Sequence, residues 1–200
     1  MSFGKFFPIT VIISALAVTM MALDIAFQKM LFFGEAGGGV LMMQTFIAFQ
    51  AWAMYFMAGC TIKDGVRVFL GYVGGAVASI AIIALALGPF AGMGDYKFLI
   101  PVFLVVIPVI CAERVKWLDF VPAWFVGAGI YFGTFTLYAK ISPEGTPLTS
   151  LYLHTAVAVL LSCLWGLIYG WVTVYLRVKY TNAVTTEEAP AEPEPEAADA

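Results

Sequence analysis

The sequence predicts an all-α protein, a bundle of six transmembrane helices. Hydrophobic residues make up 62% of the chain and charged residues 12%, and the mean hydropathy is +0.94. Soluble domains are closer to half apolar and a quarter charged, and a chain this apolar has too few polar groups to cover its surface in water. Six long apolar stretches separated by short polar connections supply the helices.

Each stretch has roughly the 20 residues that an α-helix needs to cross about 30 Å of hydrocarbon. None shows the two-residue alternation of a strand, and a spanning chain must satisfy its own backbone hydrogen bonds. A cleavable signal peptide ending near Ala15-Leu16-Ala17 is the alternative for the first stretch, but the apolar run continues beyond it. The predicted spans are Phe6–Phe33, Val40–Cys60, Val68–Leu87, Phe98–Ala112, Phe120–Ala139 and Leu151–Leu176.

The basic residues predict the orientation, because Lys and Arg concentrate on the cytoplasmic side of membrane proteins. One side would carry seven of them and the opposite side three, which places both termini in the cytoplasm. The seven are Lys5, Lys63, Arg67, Arg114, Lys116, Arg177 and Lys179, and the three are Lys29, Lys97 and Lys140.

The chain divides into a transmembrane helical domain, residues 1–180, and an acidic tail, residues 181–200. The tail is rich in Glu, Pro and Ala and contains no Lys or Arg. It cannot bury enough apolar surface to offset the entropy of ordering, so we expect a disordered cytoplasmic segment. A docking segment for a basic partner is the alternative.

Glycine pairs at four-residue spacing occur in three spans: Gly71 and Gly75, Gly129 and Gly133, and Gly166 and Gly170. Such spacing lets helix backbones approach closely. Tight packing within the bundle is the first interpretation, and packing between subunits of a homo-oligomer or a pore lined by backbone is the second. Pro101 and Pro108 predict a bend in the fourth span. Such a bend either has no binding role or exposes backbone polar groups at a transport site.

Asp24 is the charge that most needs an explanation, because buried carboxylates are costly and usually have a partner or a function. It either lies near the outer interface, paired with Lys29, or lines a path for a solute or a proton. Gln28, one helical turn later, and Gln44 and Gln50 in the second span are uncharged candidates for the same path.

No catalytic set is recognisable, and the chain lacks the motifs of a nucleotide loop or a metalloprotease. We therefore expect no enzyme activity, no cofactor and no metal site. Without a basic patch interleaved with aromatic residues, no nucleic-acid partner is expected either. The bilayer itself is the expected partner.

Six spans divide into three plus three, and an odd number per half would place the halves in opposite orientations, as in inverted-repeat transporters. Phe49-Gln50-Ala51-Trp52 opens toward Tyr55-Phe56 in the second span. Phe120-Val121-Pro122-Ala123-Trp124 opens toward Tyr131-Phe132 in the fifth. Aligning both pairs of aromatic residues needs gaps, so an inverted repeat is one interpretation.

The same stretches resemble a known family. The run Trp52-Ala53-Met54-Tyr55-Phe56-Met57-Ala58-Gly59-Cys60, followed by the Gly- and Ala-rich third span, is similar to the bacterial membrane family catalogued as domain of unknown function 1097. The stretch from Phe120 to Gly127 resembles that family's later Phe-Val-Pro segment. The resemblance covers about residues 45–176 and implies a small multi-pass protein of the bacterial inner membrane. It carries no substrate or site residue.

Two functions follow as hypotheses. The first is a channel or facilitator for a small solute, working as a homo-oligomer because six helices leave little room for an internal pore. The second is a membrane assembly or regulatory subunit that transports nothing. Convergence of Asp24, Gln44 and Gln50 on one cavity would favour the first, and scattering toward the interfaces would favour the second.

Overall fold

The computed structural model describes residues 3–31 and 44–188, and these residues form six α-helices, two 3-10 turns and no strand. The all-helical prediction is confirmed for this part of the chain. The α-helices are α1 (Phe3–Leu31), α2 (Thr45–Ala58), α3 (Ile62–Leu87), α4 (Leu99–Cys111), α5 (Val121–Ile141) and α6 (Leu148–Glu188). The 3-10 turns Ala91–Tyr96 and Ala112–Arg114 flank α4.

Three of these helices are long and apolar enough to cross a membrane, through Phe6–Ala26, Ile62–Leu87 and Leu148–Ala183. Helix α2 is apolar but has 14 residues, which at 1.5 Å per residue gives a length of about 21 Å. Helix α4 has 13 residues and is similarly short. The chain is thus compatible with a membrane protein, although three helices rather than six reach this length and composition among the described residues.

Two helices, α3 and α6, extend more than one turn beyond their predicted ends. Helix α3 begins at Ile62 rather than Val68 because Thr61 caps it, its hydroxyl oxygen accepting a hydrogen bond from the Asp64 amide at 3.1 Å. Helix α6 continues to Glu188, so residues 181–188 of the predicted tail are helical. The rest of that tail lies outside the described residues.

The most extensive interface packs α3 against α5, and glycine allows the close approach. A side-chain carbon on Gly71 would lie 2.5 Å from the Ala123 side chain. One on Gly75 would lie 2.5 Å from the backbone nitrogen of Ala128. Real side chains do not approach so closely, so only glycine fits at these two positions.

The second large interface packs α2 against α6 in the same way. A side-chain carbon on Gly166 would lie 2.8 Å from the Ala48 carbonyl carbon, and one on Gly170 would lie 2.8 Å from the Tyr55 ring. Removing side chains every fourth residue therefore brings backbones together in α6 as it does in α3.

The third glycine pair, on α5, does not pack against a neighbouring helix of the chain among the described residues. Gly129 and Gly133 are exposed on α5, and a side-chain carbon at either would have nothing within 4 Å. Four of the six glycines therefore pack helices within the chain, and these two form an open strip on its outside.

The prolines of α4 occupy its two ends. Pro101 is buried in the first turn, where a missing N–H breaks no intrahelical bond. Pro108 is exposed three residues before the helix ends at Cys111. The helix gives way there to the 3-10 turn Ala112–Arg114, as expected when proline disturbs the local hydrogen bonding.

Candidate functional site

The N-terminus of α2 is held by a buried carboxylate from α1. Asp24 is 5% exposed, and its Oδ2 accepts hydrogen bonds from the Thr45 backbone N–H at 2.9 Å and from the Thr45 hydroxyl. Thr45 is the first residue of α2, where N–H groups lack intrahelical partners and the helix dipole is positive. Asp24 therefore caps α2 from another helix.

Helices α5 and α6 complete the arrangement around Gln44, the residue before α2. The Gln44 backbone N–H donates to Ser162 Oγ of α6 at 2.8 Å, and Ser162 in turn donates to the Ala158 carbonyl at 2.7 Å. The Gln44 side-chain amide donates to the Tyr138 hydroxyl of α5 at 3.4 Å. These groups form the α2 cap cluster, which consists of Asp24, Gln44, Thr45, Tyr138 and Ser162.

Two acceptors in the α2 cap cluster are buried without a hydrogen bond. Asp24 Oδ1 and Gln44 Oε1 have no partner among the described residues. The crevice that both residues line is too narrow to admit a water molecule. Because an unpaired buried acceptor costs about 1–3 kcal/mol, any donor brought to these oxygens would be stabilising.

The α2 cap cluster lies deep within the bundle. Ser162 is 14 residues after the start of α6, which corresponds to about 21 Å along the helix. It also falls at the middle of the predicted span Leu151–Leu176. Helix α2 therefore begins inside the bundle, so its first N–H groups need partners from neighbouring helices rather than from bulk water.

The structure brings together two of the four residues predicted to line a path. Asp24 and Gln44 share the crevice, whereas Gln50 is exposed elsewhere on α2. Gln28 belongs to α1, but its side chain lies outside the described residues, as does the predicted partner Lys29. The described partner of Asp24 is Thr45, and the predicted pairing with Lys29 stays a prediction.

Sequence reasoning missed Thr45, Tyr138 and Ser162. Thr45 stands beside Gln44 at a helix start, where hydroxyl residues are common, and this was an available signal. Ser162 is a polar residue within the apolar run of α6. Nothing local links Tyr138 to Gln44, which is 94 residues away in the chain.

A separate charged cluster joins α3 to the segment before α5. Arg67 Nε donates to Asp119 Oδ1 at 2.9 Å, and the same guanidinium reaches Asp64 Oδ1 at 3.2 Å. The hydrogen bond from Arg67 lowers the pKa of the Asp119 carboxyl. This cluster lies on the side where the sequence predicts the cytoplasm, far along the helices from the α2 cap cluster. Within the described residues no three His, Cys, Asp or Glu side chains could hold a metal ion together.

Comparison with known protein families gives one match. The family described as "Protein of unknown function (DUF1097)" matches residues 9–177, a range that includes all of the α2 cap cluster and confirms the resemblance seen in the sequence. No curated protein and no solved structure matches the chain.

Proposed function

This chain belongs to the DUF1097 family of proteins of unknown function, and we propose from its own geometry that it is a membrane channel or facilitator for a small solute. The observation that carries the proposal is the α2 cap cluster. Polar groups from four helices meet deep in an apolar bundle, around a helix that starts inside it. Helix ends of this kind form the solute sites of many transporters.

The proposed setting is the bacterial inner membrane, crossed six times with both termini in the cytoplasm. The short helices α2 and α4 would cross it together with the segments that adjoin them. The distribution of Lys and Arg supports this orientation. The exposed apolar side chains along α1 and α4, such as Val18 and Phe103, each 68% exposed, are suited to contact with lipid.

The helix packing supports an inverted repeat of α1–α3 and α4–α6. Exchanging α1 with α4, α2 with α5 and α3 with α6 converts the main interfaces into one another and the α3–α6 interface into itself. The α3–α5 interface becomes α6–α2, the α3–α4 interface becomes α6–α1, and the α2–α3 interface becomes α5–α6. The halves of inverted-repeat transporters are related in this way.

Particular residues follow the same exchange. Gly71 of α3 packs on Ala123 of α5, and Gly166 of α6 packs on Ala48 of α2. The Tyr55 hydroxyl of α2 donates to the Cys60 carbonyl just before α3, at 2.8 Å. In the second half, the Tyr131 hydroxyl of α5 donates to the Tyr152 carbonyl near the start of α6, at 2.9 Å.

Passage of a solute requires the N-terminus of α2 to separate from α1 and α6, because the crevice is too narrow for water. A polar solute can replace the hydrogen bonds that are given up. Its donors would meet Asp24 Oδ1 and Gln44 Oε1, and its acceptors would meet the Thr45 and Gln44 N–H groups. An anion would be repelled by the carboxylate, and a cation would meet the positive end of the α2 dipole. The proposed solute is therefore small, neutral and able to donate hydrogen bonds.

The test is swelling of proteoliposomes that hold the purified protein, in gradients of small neutral amides, polyols or anions. Selective permeation of a neutral solute is expected. Asp24→Asn should reduce it by about tenfold or more, since a hydrogen bond to a charged group contributes roughly 1.5–3 kcal/mol and 1.4 kcal/mol is a factor of ten. Asparagine keeps an acceptor for Thr45, so the fold should persist.

A matched pair on α2 provides the control. Gln44→Leu removes a polar group from the crevice, and Gln50→Leu makes the same chemical change on an exposed face of the same helix. Permeation should fall in the first variant and stay unchanged in the second. Equal permeation rates in the two variants would show that the α2 cap cluster does not line the path.

A membrane assembly or regulatory subunit is the second candidate. The open Gly129 and Gly133 strip on α5 favours it, because such strips suit close packing of another helix. If folded protein gives no permeation above empty vesicles for any solute, the transport proposal fails and this one takes its place.

A further inference from the structure

A continuous groove runs along the outside of the bundle between α3 and α6, with α2 as its floor. It consists of two adjoining cavities of about 290 and 550 Å³, which share Tyr55, Ile62 and Trp171 as lining residues. No residue of the α2 cap cluster lines this groove, so the two sites are separate.

The deeper part of the groove is wholly apolar. Val66 and Phe69 line it on α3, and Leu164 and Ile168 line it on α6. From Leu164 to Tyr175 is 11 residues of α6, which corresponds to about 16 Å. One leaflet of a bilayer contributes half of the hydrocarbon core of about 30 Å, or about 15 Å. The distance along α6 from the innermost lining residue, Leu164, to the aromatic Tyr175 thus matches the depth of a single leaflet.

The shallower part of the groove ends in polar groups. Trp171 and Tyr175 stack there with ring centroids 5.9 Å apart, as aromatic residues do at membrane interfaces. Beyond them, one more helical turn along α6, the exposed Lys179 lines the opening. Lys63, at the start of α3, lies instead over the Trp117 ring at 5.6 Å. Among the described residues, Lys179 is therefore the cation that lines this opening.

We propose that the groove binds one anionic phospholipid, with an acyl chain between α3 and α6 and the phosphate at the Lys179 ammonium. An apolar channel one leaflet deep, an aromatic pair at the interface and a cation just outside it reproduce the order of chain, interface and headgroup in a phospholipid. In the proposed orientation Lys179 lies at the cytoplasmic surface, where anionic lipids attract basic residues. The proposal needs the protein to lie in a membrane but does not need it to transport a solute.

The test is native mass spectrometry of the full chain in detergent, titrated with phosphatidylglycerol or with phosphatidylcholine of the same acyl chains. One phosphatidylglycerol should bind more tightly than phosphatidylcholine, by roughly fivefold if Lys179 supplies the usual attraction of one basic residue. Lys179→Gln should abolish this preference. Lys116→Gln, the same change at another exposed position on the predicted cytoplasmic side, should leave it intact.

A second variant tests the chain-binding part. Ile168→Trp fills the apolar groove and should weaken the binding of both lipids by a similar factor. The proposal is overturned if the two lipids bind equally to the unmodified chain, if the two lysine variants behave alike, or if Ile168→Trp has no effect. Lys179 is exposed, so its variant is expected to fold normally and remains decisive even if the tryptophan variant does not fold.

Discussion

At the scale of single residues, Asp24 determines where α2 begins. A carboxylate buried in an apolar bundle is costly unless it is paired, and the N-terminus of a helix buried there needs acceptors for its N–H groups. Each group satisfies the other through Asp24 Oδ2 and Thr45. The same contact leaves Asp24 Oδ1 free of hydrogen bonds among the described residues, and this oxygen is the one that the proposed solute would bind.

The Thr45 hydroxyl should contribute measurably to stability. Thr45→Val keeps the shape of the side chain but removes the hydrogen bond to Asp24, so the free energy of unfolding should fall by about 1.5–3 kcal/mol. Tryptophan fluorescence during thermal unfolding in detergent measures this loss of stability. Thr45→Ser keeps the hydroxyl, so its free energy of unfolding should fall much less. A valine variant as stable as the unmodified chain would contradict the role assigned to this hydrogen bond.

The Arg67–Asp119 pair predicts a pH dependence. The pKa of Asp119 is lower in the folded chain than in the unfolded chain, where an Asp carboxyl titrates near pH 4. Its stabilising contribution is therefore complete above about pH 4 and is lost as the pH falls through the folded-state pKa. The melting temperature of Asp119→Asn should lie below that of the unmodified chain at pH 7, and the difference should shrink in acid. Glu113→Gln, at an exposed acid nearby, should show no such convergence.

At the scale of helices, glycine has two roles that identical spacing does not distinguish. In α3 and α6 the glycine pairs face a neighbouring helix of the same chain, and in α5 they face outward. The difference lies in which face of the helix is turned toward the bundle. A stripe of small residues is compatible with either placement.

This difference can be measured with one substitution at two sites. Gly166→Ala would push the alanine side chain into the Ala48 backbone, so stability should fall by about 1–3 kcal/mol as in other overpacked interiors. Gly133→Ala meets open space and should be neutral or stabilising by up to about 1 kcal/mol, because alanine favours helix. Thermal unfolding of the two variants side by side is the measurement. Equal losses would mean that Gly133 is covered by a second copy of the chain.

At the scale of the whole molecule, the proposed alternation of six spans places the ends of the helices on two sides of the membrane. One side would hold both termini, residues 59–61 and residues 112–120. The other would hold residues 88–98 and 142–147. The longest helix, α6, would extend from the second side through the membrane and into the cytoplasm.

Cysteine labelling in intact spheroplasts tests this arrangement. In a Cys60→Ala and Cys111→Ala background, with the buried Cys163 retained, Glu144→Cys should react with a membrane-impermeant maleimide from outside. Glu113→Cys should react only after lysis. Labelling of both, or the reverse order, would refute the proposed orientation. Both positions are exposed in the structure, so neither variant should disturb the fold.

The sequence by itself determined the helical class, the approximate helix positions and the family. These follow from local properties: apolar length, glycine and proline at the connections, and short motifs such as the run from Trp52 to Cys60. It also identified Asp24 as a residue that needs a partner or a function, and Gln44 as a candidate for the same site, because a polar group in an apolar run is visible without a structure.

Only the tertiary structure decided what those residues touch. Asp24 meets Thr45, which is 21 residues away in the chain, and Gln44 meets groups from α5 and α6 that lie 94 and 118 residues away. It also decided that Gly75 is enclosed while Gly133 is open, that Gln50 points away from the cluster, and that α3 and α6 leave a groove between them. The physical reason is that helix faces are chosen by packing against partners distant in the chain, and local periodicity does not specify those partners.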